Sequence, residues 1–524
     1  MEQVSPAGGD HARHRRGPAR ILLAMLLTAL LLGGAVPYVS GSGHGYLSYL
    51  VLADRQDAEG AELAAEQATA AGGQVVQDYP QIGAVLAYAT GQFAERLRGR
   101  PGIAAVGATR TAAVPGPPRP LDGTSDFRPA SDSAPARGAA RGPAGDSTDD
   151  STATVPDPAE QSDWNLGMIG ATEAPARFAT LLRSPGLAPV AARTAGAAPL
   201  PSPQTLHGVL VAVLDSGVDD THPDLRAAVD PEASASCADG RPDARFGAWR
   251  PDPGVTESGH GTHVAGIVGA ARDGHGVTGV APGVRIAAVR LLGPLGQYYA
   301  ENIVCGMLWS ADHGAKAVND SYFADPWKYN CPEDPDQAAL IAAVGRAVAY
   351  AQKQGAVVVA SAGNDGQDLG SSRPDRRSPN DRLSGPGQDR LLGTECIRLP
   401  GELPGVLTVS AVDRRGLPAG YSNYGRGRIS IAAPGGDPDG SSQSAVVSDW
   451  PGGQYAALAG TSMSAAHVTG AAAVTAAVHP EWGPAEVADQ LTAAAAAGCE
   501  RAAAVCADPA YREYYGAGVL VLPD

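Results

Sequence analysis

Three side chains of complementary chemistry lie in short motifs that are far apart in the chain. Asp215 ends the apolar run VLVAVLD, His260 lies in SGHGTHVAG, and Ser462 lies in AGTSMSAAHVTG. A serine hydroxyl is a weak nucleophile until a base takes its proton, histidine titrates near neutral pH, and a buried carboxylate fixes the imidazole tautomer. The three residue types together predict acyl transfer, with Ser462 attacking, His260 relaying the proton and Asp215 orienting the imidazole.

A fourth motif supplies a candidate hydrogen-bond donor for the same reaction. The run AVVVASAGNDG leads a strand to Asn364. A side-chain amide there can donate to the oxyanion of a tetrahedral intermediate, beside the backbone N–H of Ser462. Ser462 opens an Ala-rich helical stretch, where unpaired N–H groups and the helix dipole favour developing negative charge. We therefore expect Asn364 to belong to an oxyanion hole.

The elements that must position these residues alternate between strand and helix. The apolar runs lack polar alternation, as is typical of strands buried on both faces. They are VLVAVLD, VRIAAVRLL, AKAVND, AVVVASAG, GVLTVSAV and ISIAAPG, and the helical stretches between them include THVAGIVGAA, ENIVCGMLWSADHG, DQAALIAAVGRAVAYAQKQG and SMSAAHVTGAAAVTAAV. This order predicts an α/β fold with a mostly parallel β-sheet sandwiched by helices. In such sheets the site lies at the carboxyl ends of the strands, where these motifs fall.

In these motifs the chain resembles the subtilisin-like serine proteases, or subtilases. The matching segments are Asp215-Ser-Gly, His260-Gly-Thr-His-Val-Ala-Gly, Ala362-Gly-Asn364 and Gly460-Thr-Ser-Met. Their order of Asp, His and Ser is that of subtilisin. The resemblance covers about residues 164–522, which places a peptidase domain at 162–524. It implies a secreted serine endopeptidase acting on polypeptides, and substrate-binding roles for Ser321, Tyr322, Phe323, Ala362 and Gly363.

The chain also departs from the pattern of that family. Phe323 stands where the family's substrate-binding strand has glycine, which predicts a narrower primary pocket. The loop ARDGHGVTGV is a poor match for the family's strong calcium loop, so calcium is possible but unsupported and no metal or cofactor is expected. Ala466 replaces a proline just before His467. Residues 183–204 form an insertion of unassigned role, and residues 370–390 form a polar insertion loop.

Residues 46–110 form a second, smaller α/β pattern ahead of the peptidase motifs. Strand-like YLSYLVLA, GQVVQDY, GAVLAYA and GIAAVGA alternate with helical AEGAELAAEQATAAG and GQFAERLRG. By position and pattern this unit, assigned to residues 42–111, looks like the family's inhibitory propeptide. An unrelated accessory domain is the alternative. Residues 112–161 are rich in Pro, Gly, Ser, Asp and Thr, which predicts a disordered linker.

The first 41 residues read as a signal peptide. Four arginines at positions 13, 15, 16 and 20 precede 16 uncharged residues, 21–36. That length suits a secretory segment and is short for a membrane span of about 20 residues. We expect cleavage near Gly41 and a secreted protein with no membrane attachment afterwards. An uncleaved anchor is the alternative.

Composition narrows the classes of partner. The formal net charge is −16, which argues against nucleic acid or an anionic membrane as the main partner. We also expect the protein to be a monomer. The six cysteines form no C-x-x-C pair, so disulfides are favoured over a metal site. Six cysteines allow 15 pairings, and only Cys499 with Cys506 suggests itself locally.

Other polar residues near the motifs have ordinary structural interpretations. We expect surface or turn-capping roles for Asp219, Asp220 and Asp224, and hydrogen-bonded structural roles for His222, His263 and His467. Two alternatives to a general endopeptidase remain: a dedicated processing protease or peptide ligase with a narrow substrate, and an inactive binding protein that keeps the fold.

Overall fold

The structure is a computed structural model that describes residues 45–119, 157, 163–172, 200–256, 258–381, 388–438, 444–500 and 510–523. All of these belong to one unit, His44–Asp524. The predicted signal peptide, most of the predicted linker and most of the 183–204 insertion lie outside the described residues. No helix in the described ranges is long and apolar enough to cross a bilayer.

The predicted order of strands and helices is confirmed along the described chain. The strands are β1 (Leu47–Ala53), β2 (Gln74–Tyr79), β3 (Ala84–Ala89), β4 (Ile103–Ala108), β5 (Leu210–Asp215), β6 (Ala235–Ser236), β7 (Arg285–Arg290), β8 (Ala317–Asp320), β9 (Val357–Ser361), β10 (Arg373–Asp375), β11 (Arg390–Leu392), β12 (Leu407–Val412), β13 (Ile431–Pro434), β14 (Val446–Trp450) and β15 (Gln454–Leu458). The helices are α1 (Ala58–Ala70), α2 (Phe93–Leu97), α3 (Trp164–Ile169), α4 (Pro203–Leu206), α5 (His260–Gly269), α6 (Ala300–Asp312), α7 (Pro335–Lys353), α8 (Thr461–Val478), α9 (Pro484–Glu500) and α10 (Tyr511–Tyr515).

A seven-stranded parallel sheet forms the centre of the large domain (residues 163–523). Its order is β13-β12-β9-β8-β5-β7-β6. Alternate side chains of β5 enter two different cores: Val211 and Val213 pack with α5 and α8, whereas Ala212 and Leu214 pack with α6 and α7. Helices therefore cover both faces, as the unbroken apolar runs predict.

The parallel sheet brings the candidate motifs to one edge. β5 ends at Asp215, β8 ends immediately before Ser321, and β9 ends three residues before Asn364. Because β5 pairs with β8 and β8 pairs with β9, all three ends are neighbours. α5 and α8 begin at the same edge, with His260 and Thr461 as their first residues.

The small domain (residues 45–110) is an antiparallel sheet of order β2-β3-β1-β4 with α1 and α2. One face of this sheet carries Leu50, Leu52 and Leu86 into the core formed with α6 and α7 of the large domain. A buried ion pair joins the two domains, with Arg110 Nη2 lying 2.5 Å from Glu301 Oε1. The small domain is therefore bound through both apolar and charged contacts.

The described parts of the predicted linker are packed against the protein. Val114 and Tyr46 exchange two backbone hydrogen bonds of 2.8 Å. Ala112 N donates to Asp381 Oδ2 at 3.1 Å, and Asp157 is buried and accepts from Gly274 N at 2.6 Å. Composition cannot reveal such contacts, since each depends on a partner far away in the sequence.

The polar insertion at 370–390 is partly a folded hairpin. β10 pairs antiparallel with β11, and Arg373 is buried with its guanidinium 4.3 Å from the centre of the Tyr329 ring. Asp375 pairs with Arg390 at 2.5 Å. The prediction of a polar loop is therefore wrong for the β10–β11 hairpin, whose charged side chains pair with one another inside the fold.

Two disulfides are formed among the described residues. They join Cys237 to Cys305 and Cys331 to Cys396. These bonds agree with the expected preference for disulfides over metal ligation. The pair suggested locally, Cys499 with Cys506, involves side chains outside the described part of the structure.

Candidate active site

Asp215 and His260 form a directly hydrogen-bonded pair. The carboxylate of Asp215 is fully buried at the end of β5. His260 Nδ1 lies 2.8 Å from Asp215 Oδ1 and 3.0 Å from Oδ2. A carboxylate accepts a hydrogen at this position, so Nδ1 carries the proton and Nε2 is left as the basic nitrogen.

Ser216 ties the end of β5 to the beginning of α5. Its backbone N–H donates to Asp215 Oδ1 at 2.6 Å, and its Oγ donates to Ser258 O at 2.7 Å. The same Oγ accepts from Gly261 N at 2.9 Å. Ser216 thereby holds the carboxylate and the imidazole in register. The sequence motif marks this serine only as the neighbour of Asp215 and carries no signal for this role.

A second buried carboxylate lies near the pair. Tyr298 OH donates to Asp215 Oδ1 at 3.4 Å, and its ring stacks on Tyr322 with centroids 5.0 Å apart. Tyr322 OH donates to Asp320. Burial is the main cause that raises the pKa of Asp320 to about 7; the Tyr322 hydrogen bond lowers this pKa and the charge of Asp215 raises it. Sequence reasoning had no signal for this arrangement.

Ser462 is the second residue of α8, so its N–H has no partner one turn earlier in the helix. Its Oγ donates to Ser321 O at 3.3 Å, and Ser321 Oγ donates back to Ser462 O at 3.1 Å. Ser462 and His260 line one cleft of about 560 Å³. The predicted nucleophile and the predicted base are therefore exposed to the same space.

Asn364 lies exposed in the same cleft, beside the N-terminus of α8. Its Oδ1 accepts from Thr461 N at 2.9 Å and from Thr461 Oγ1 at 2.8 Å. With its oxygen engaged, the amide presents Nδ2 as a donor. A Cβ placed on Gly460 would lie 3.3 Å from that nitrogen, so glycine keeps the approach open.

The other predicted binding residues divide into two groups. Ser321, Tyr322 and Phe323 line the cleft, but they follow β8 as irregular backbone rather than as a strand. Ala362 is fully buried, and its N–H donates to Val409 O at 2.9 Å, which links β9 to β12. Gly363 has φ +102°, a left-handed conformation that favours glycine. The residues missed as cleft lining include Tyr298, Lys328, Arg377, Arg398 and Trp450.

The neighbouring histidines have structural partners. Burial lowers the pKa of His263 to about 3 and that of His467 to about 4, so both are neutral at working pH. His263 Nε2 lies 3.0 Å from Ala456 O, and His467 Nδ1 lies 2.7 Å from Met463 O. His222 Nε2 lies 3.0 Å from Gln454 O. These contacts agree with the structural roles expected.

The rival aspartates differ from one another. Asp219 caps a turn by accepting from Thr221 N at 3.0 Å. Asp220 pairs with Arg250 at 2.5 Å. Asp224 is fully buried and accepts from Tyr455 OH at 3.0 Å, so expecting a surface or turn-capping role was wrong for it. The turn-rich local sequence did not reveal that β15 covers this residue.

Two groups of potential metal ligands occur among the described residues, and neither includes Asp215, His260 or Ser462. One contains Cys331 and Cys396, which are bonded to each other. The other is His222, Asp224 and Asp449, all buried. Burial and the nearby charge of Asp224 raise the pKa of Asp449 to about 9, so its protonated form is favoured at neutral pH.

A carboxylate, an imidazole and a serine hydroxyl at the carboxyl edge of a parallel sheet are the arrangement of a serine hydrolase. Comparison with known proteins narrows this class. The model of the subtilase family matches residues 207–518. Subtilisin BL of Lederbergia lenta is 32% identical over 284 residues, which cover 54% of this chain and 82% of that protein. The chain belongs to the subtilase family and is a serine endopeptidase.

Solved structures agree with this fold. The epidermin leader peptide processing serine protease of Staphylococcus aureus matches with a TM-score of 0.60 at 18% identity, over 91% of this chain and 98% of that one. Fervidolysin from Fervidobacterium pennivorans, a keratinolytic enzyme related to subtilisin, matches with a TM-score of 0.57 at 23% identity, over 92% of this chain and 61% of that one. At these identities the likeness concerns the fold alone.

Proposed function

We propose that the protein hydrolyses peptide bonds through an acyl-enzyme intermediate on Ser462. The observation that carries this proposal is the His260–Asp215 pair, with Nδ1 at 2.8 Å from the carboxylate, facing the cleft that Ser462 lines. Asp215 keeps the proton on Nδ1, so that Nε2 is the nitrogen that accepts a proton from Ser462 Oγ.

The reaction follows from these positions. Ser462 Oγ bonds to the substrate carbonyl carbon as its proton passes to His260 Nε2. His260 then gives that proton to the leaving amine nitrogen as the C–N bond breaks. Water then attacks the acyl carbon and loses a proton to His260 Nε2. His260 returns this proton to Ser462 Oγ as the bond between Oγ and the acyl carbon breaks, which releases the acid and restores Ser462. The oxyanion formed in each half is stabilised by Asn364 Nδ2 and the Ser462 N–H.

The small domain acts in this proposal as an inhibitory propeptide. Its C-terminal end lies beside the wall of the cleft: Thr111 donates to Asp381, and the neighbouring Asn380 donates to Asp325 at 2.6 Å. Asp325 in turn accepts from the backbone N–H of Tyr298, which lines the cleft. These contacts support a path in which the chain leaves the small domain close to the catalytic residues. Cleavage of this connecting segment would then release the enzyme from its inhibitor.

We place the working enzyme outside the cell. The arginine-rich start with its 16-residue apolar segment and the two disulfides both support export into an oxidising compartment. A substrate range narrower than that of a general endopeptidase is supported by Phe323, which lines the cleft and stands where the family's pattern has glycine.

Digestion of a denatured protein mixture tests the proposal. The processed enzyme is compared with Ser462→Ala and with the matched control Ser464→Ala, whose hydroxyl donates to Ala433 O at 3.0 Å and does not line the cleft. We expect Ser462→Ala to lose hydrolysis and Ser464→Ala to retain it. Unchanged hydrolysis by Ser462→Ala would indicate a binding protein that keeps the fold, together with a contaminating protease.

A further inference from the structure

The cleft beside Ser462 has the opposite charge to the protein as a whole. The chain carries 55 acidic and 39 basic residues. The described residues that line the cleft nevertheless include three cations, Lys328, Arg377 and Arg398, and a single carboxylate, Asp365. Asp365 Oδ1 is already paired with Lys328 Nζ. The cleft therefore holds excess positive charge that an anion can balance.

Arg398 is the central member of this cluster. It is only 5% exposed, yet its side chain makes one polar contact among the described residues, from Nη2 to Tyr322 O at 3.2 Å. Its buried Nε has no partner. A guanidinium stays charged at working pH, and a buried charge without a carboxylate partner is costly. The nearby Glu402 is occupied by Arg428 at 3.1 Å and by the Arg398 backbone N–H at 2.8 Å.

The position of Arg398 relative to the reacting atoms is fixed. A Cβ placed on Gly363 would lie 3.1 Å from Arg398 Cζ and Nη1, so the guanidinium packs against the residue before Asn364. Its Cζ also lies 5.0 Å from the centre of the Phe323 ring. The disulfide from Cys331 to Cys396 and the hydrogen bonds between Asn330 and Ile397, at 2.7 and 2.8 Å, anchor the preceding residues.

We propose that the enzyme prefers substrates with an acidic side chain, Asp or Glu, on the residue whose carbonyl Ser462 attacks. The attacked carbonyl oxygen of the substrate would lie against Asn364. The side chain of that substrate residue can then reach the guanidinium of Arg398, which packs against Gly363, the neighbour of Asn364. Arg398 binds the carboxylate from the floor of the cleft, and Lys328 and Arg377 add positive charge at its wall. The inference rests on the proposed function of Ser462.

A matched set of peptides tests the preference. The peptides are identical apart from Glu, Gln, Leu or Lys at the residue that donates the acyl group. Because Glu and Gln have nearly the same shape, the ratio of their kcat/KM values isolates the charge. We expect a Glu to Gln ratio of about 10 or more at low ionic strength, falling as salt is added. A ratio of 1 or less overturns the preference.

Variants separate a binding role of the cations from a structural one. Arg398→Met should bring the Glu to Gln ratio close to 1. Arg377→Gln changes an exposed side chain and should lower the ratio several-fold. The control is Arg376→Gln, at a side chain that is 79% exposed, pairs with Asp389 and does not line the cleft; its ratio should equal that of the unmodified enzyme. An unchanged ratio in Arg377→Gln and Arg398→Met overturns the assignment.

Failure of this inference differs from failure of the proposed function. Cleavage after Leu or Gln without a preference for Glu overturns only the acidic specificity. No cleavage of any peptide by an intact, processed enzyme overturns both.

Discussion

Removing one partner of the buried pair between Arg110 and Glu301 should weaken the attachment of the small domain strongly. Glu301 is fully buried and Arg110 is 11% exposed, with 2.5 Å between Nη2 and Oε1. Ser48 Oγ adds a 3.1 Å hydrogen bond to Glu301 and a 2.6 Å contact to Arg110 Nε. Replacing Arg110 by Met leaves the carboxylate of Glu301 enclosed with one weak donor.

The cost of this change can be bounded from the structure. Removing one partner of a buried ion pair costs about 3–5 kcal/mol, and the remaining exposure of Arg110 favours the lower figure. About 3 kcal/mol corresponds to a loss of roughly 100-fold in affinity. The quantity to measure is the inhibition constant of segment 45–119 added to the processed enzyme, with and without Arg110→Met.

Two matched variants complete this experiment. Arg98→Met removes a pair with Asp336 whose partners are 34% and 42% exposed, and it should weaken inhibition by only about fivefold or less. Glu301→Gln in the enzyme should recover part of the affinity lost by Arg110→Met, because no uncompensated charge remains. Equal effects of Arg110→Met and Arg98→Met would refute the reasoning.

Three further predictions concern the site and its support. Asn364→Ala should lower kcat by about 100- to 1,000-fold with little change in folding, which is the known effect of removing the oxyanion-hole asparagine of subtilisin. Ser216→Ala should lower the free energy of unfolding by about 1–3 kcal/mol in denaturant titrations, because Gly261 N and Ser258 O lose their shared buried partner. The folded-state pKa of Asp449, about 9, lies above its ordinary value of 3.8, so its contribution to stability is complete below pH 4 and is lost as the pH rises through 9. Asp449→Asn cannot ionise, and its melting temperature should fall less steeply between pH 4 and pH 9 than that of the unmodified protein.

The parallel sheet and the four reaction motifs could be predicted because their signals are local. An unbroken apolar run such as that ending at Asp215 is readable without any knowledge of its neighbours. The helix that follows His260 and the one that contains Ser462 are equally plain in sequence. Sheet topology then converts the shared position at strand ends into proximity, as the His260–Asp215 distance of 2.8 Å confirms.

The cations of the cleft could not be predicted because they arrive from distant segments. Arg398 lies beside Gly363 through a disulfide and a short backbone bridge, and neither can be deduced from cysteine count or composition. Arg377 belongs to the 370–390 insertion, whose sequence predicts a polar loop. Sequence alone does not distinguish charged residues that form buried ion pairs there from charged residues that face solvent. Ala362 shows another limit of motif matching: the motif does not reveal that its side chain belongs to the core.

Covalent labelling of Ser462 tests the central claim most directly. The processed enzyme is treated with a serine-directed fluorophosphonate, and the modified residue is located by mass spectrometry of its peptides. The proposed mechanism predicts one adduct per chain, on Ser462, with labelling much slower in His260→Ala. An adduct on another residue, or an intact and folded enzyme that remains unlabelled, would contradict it.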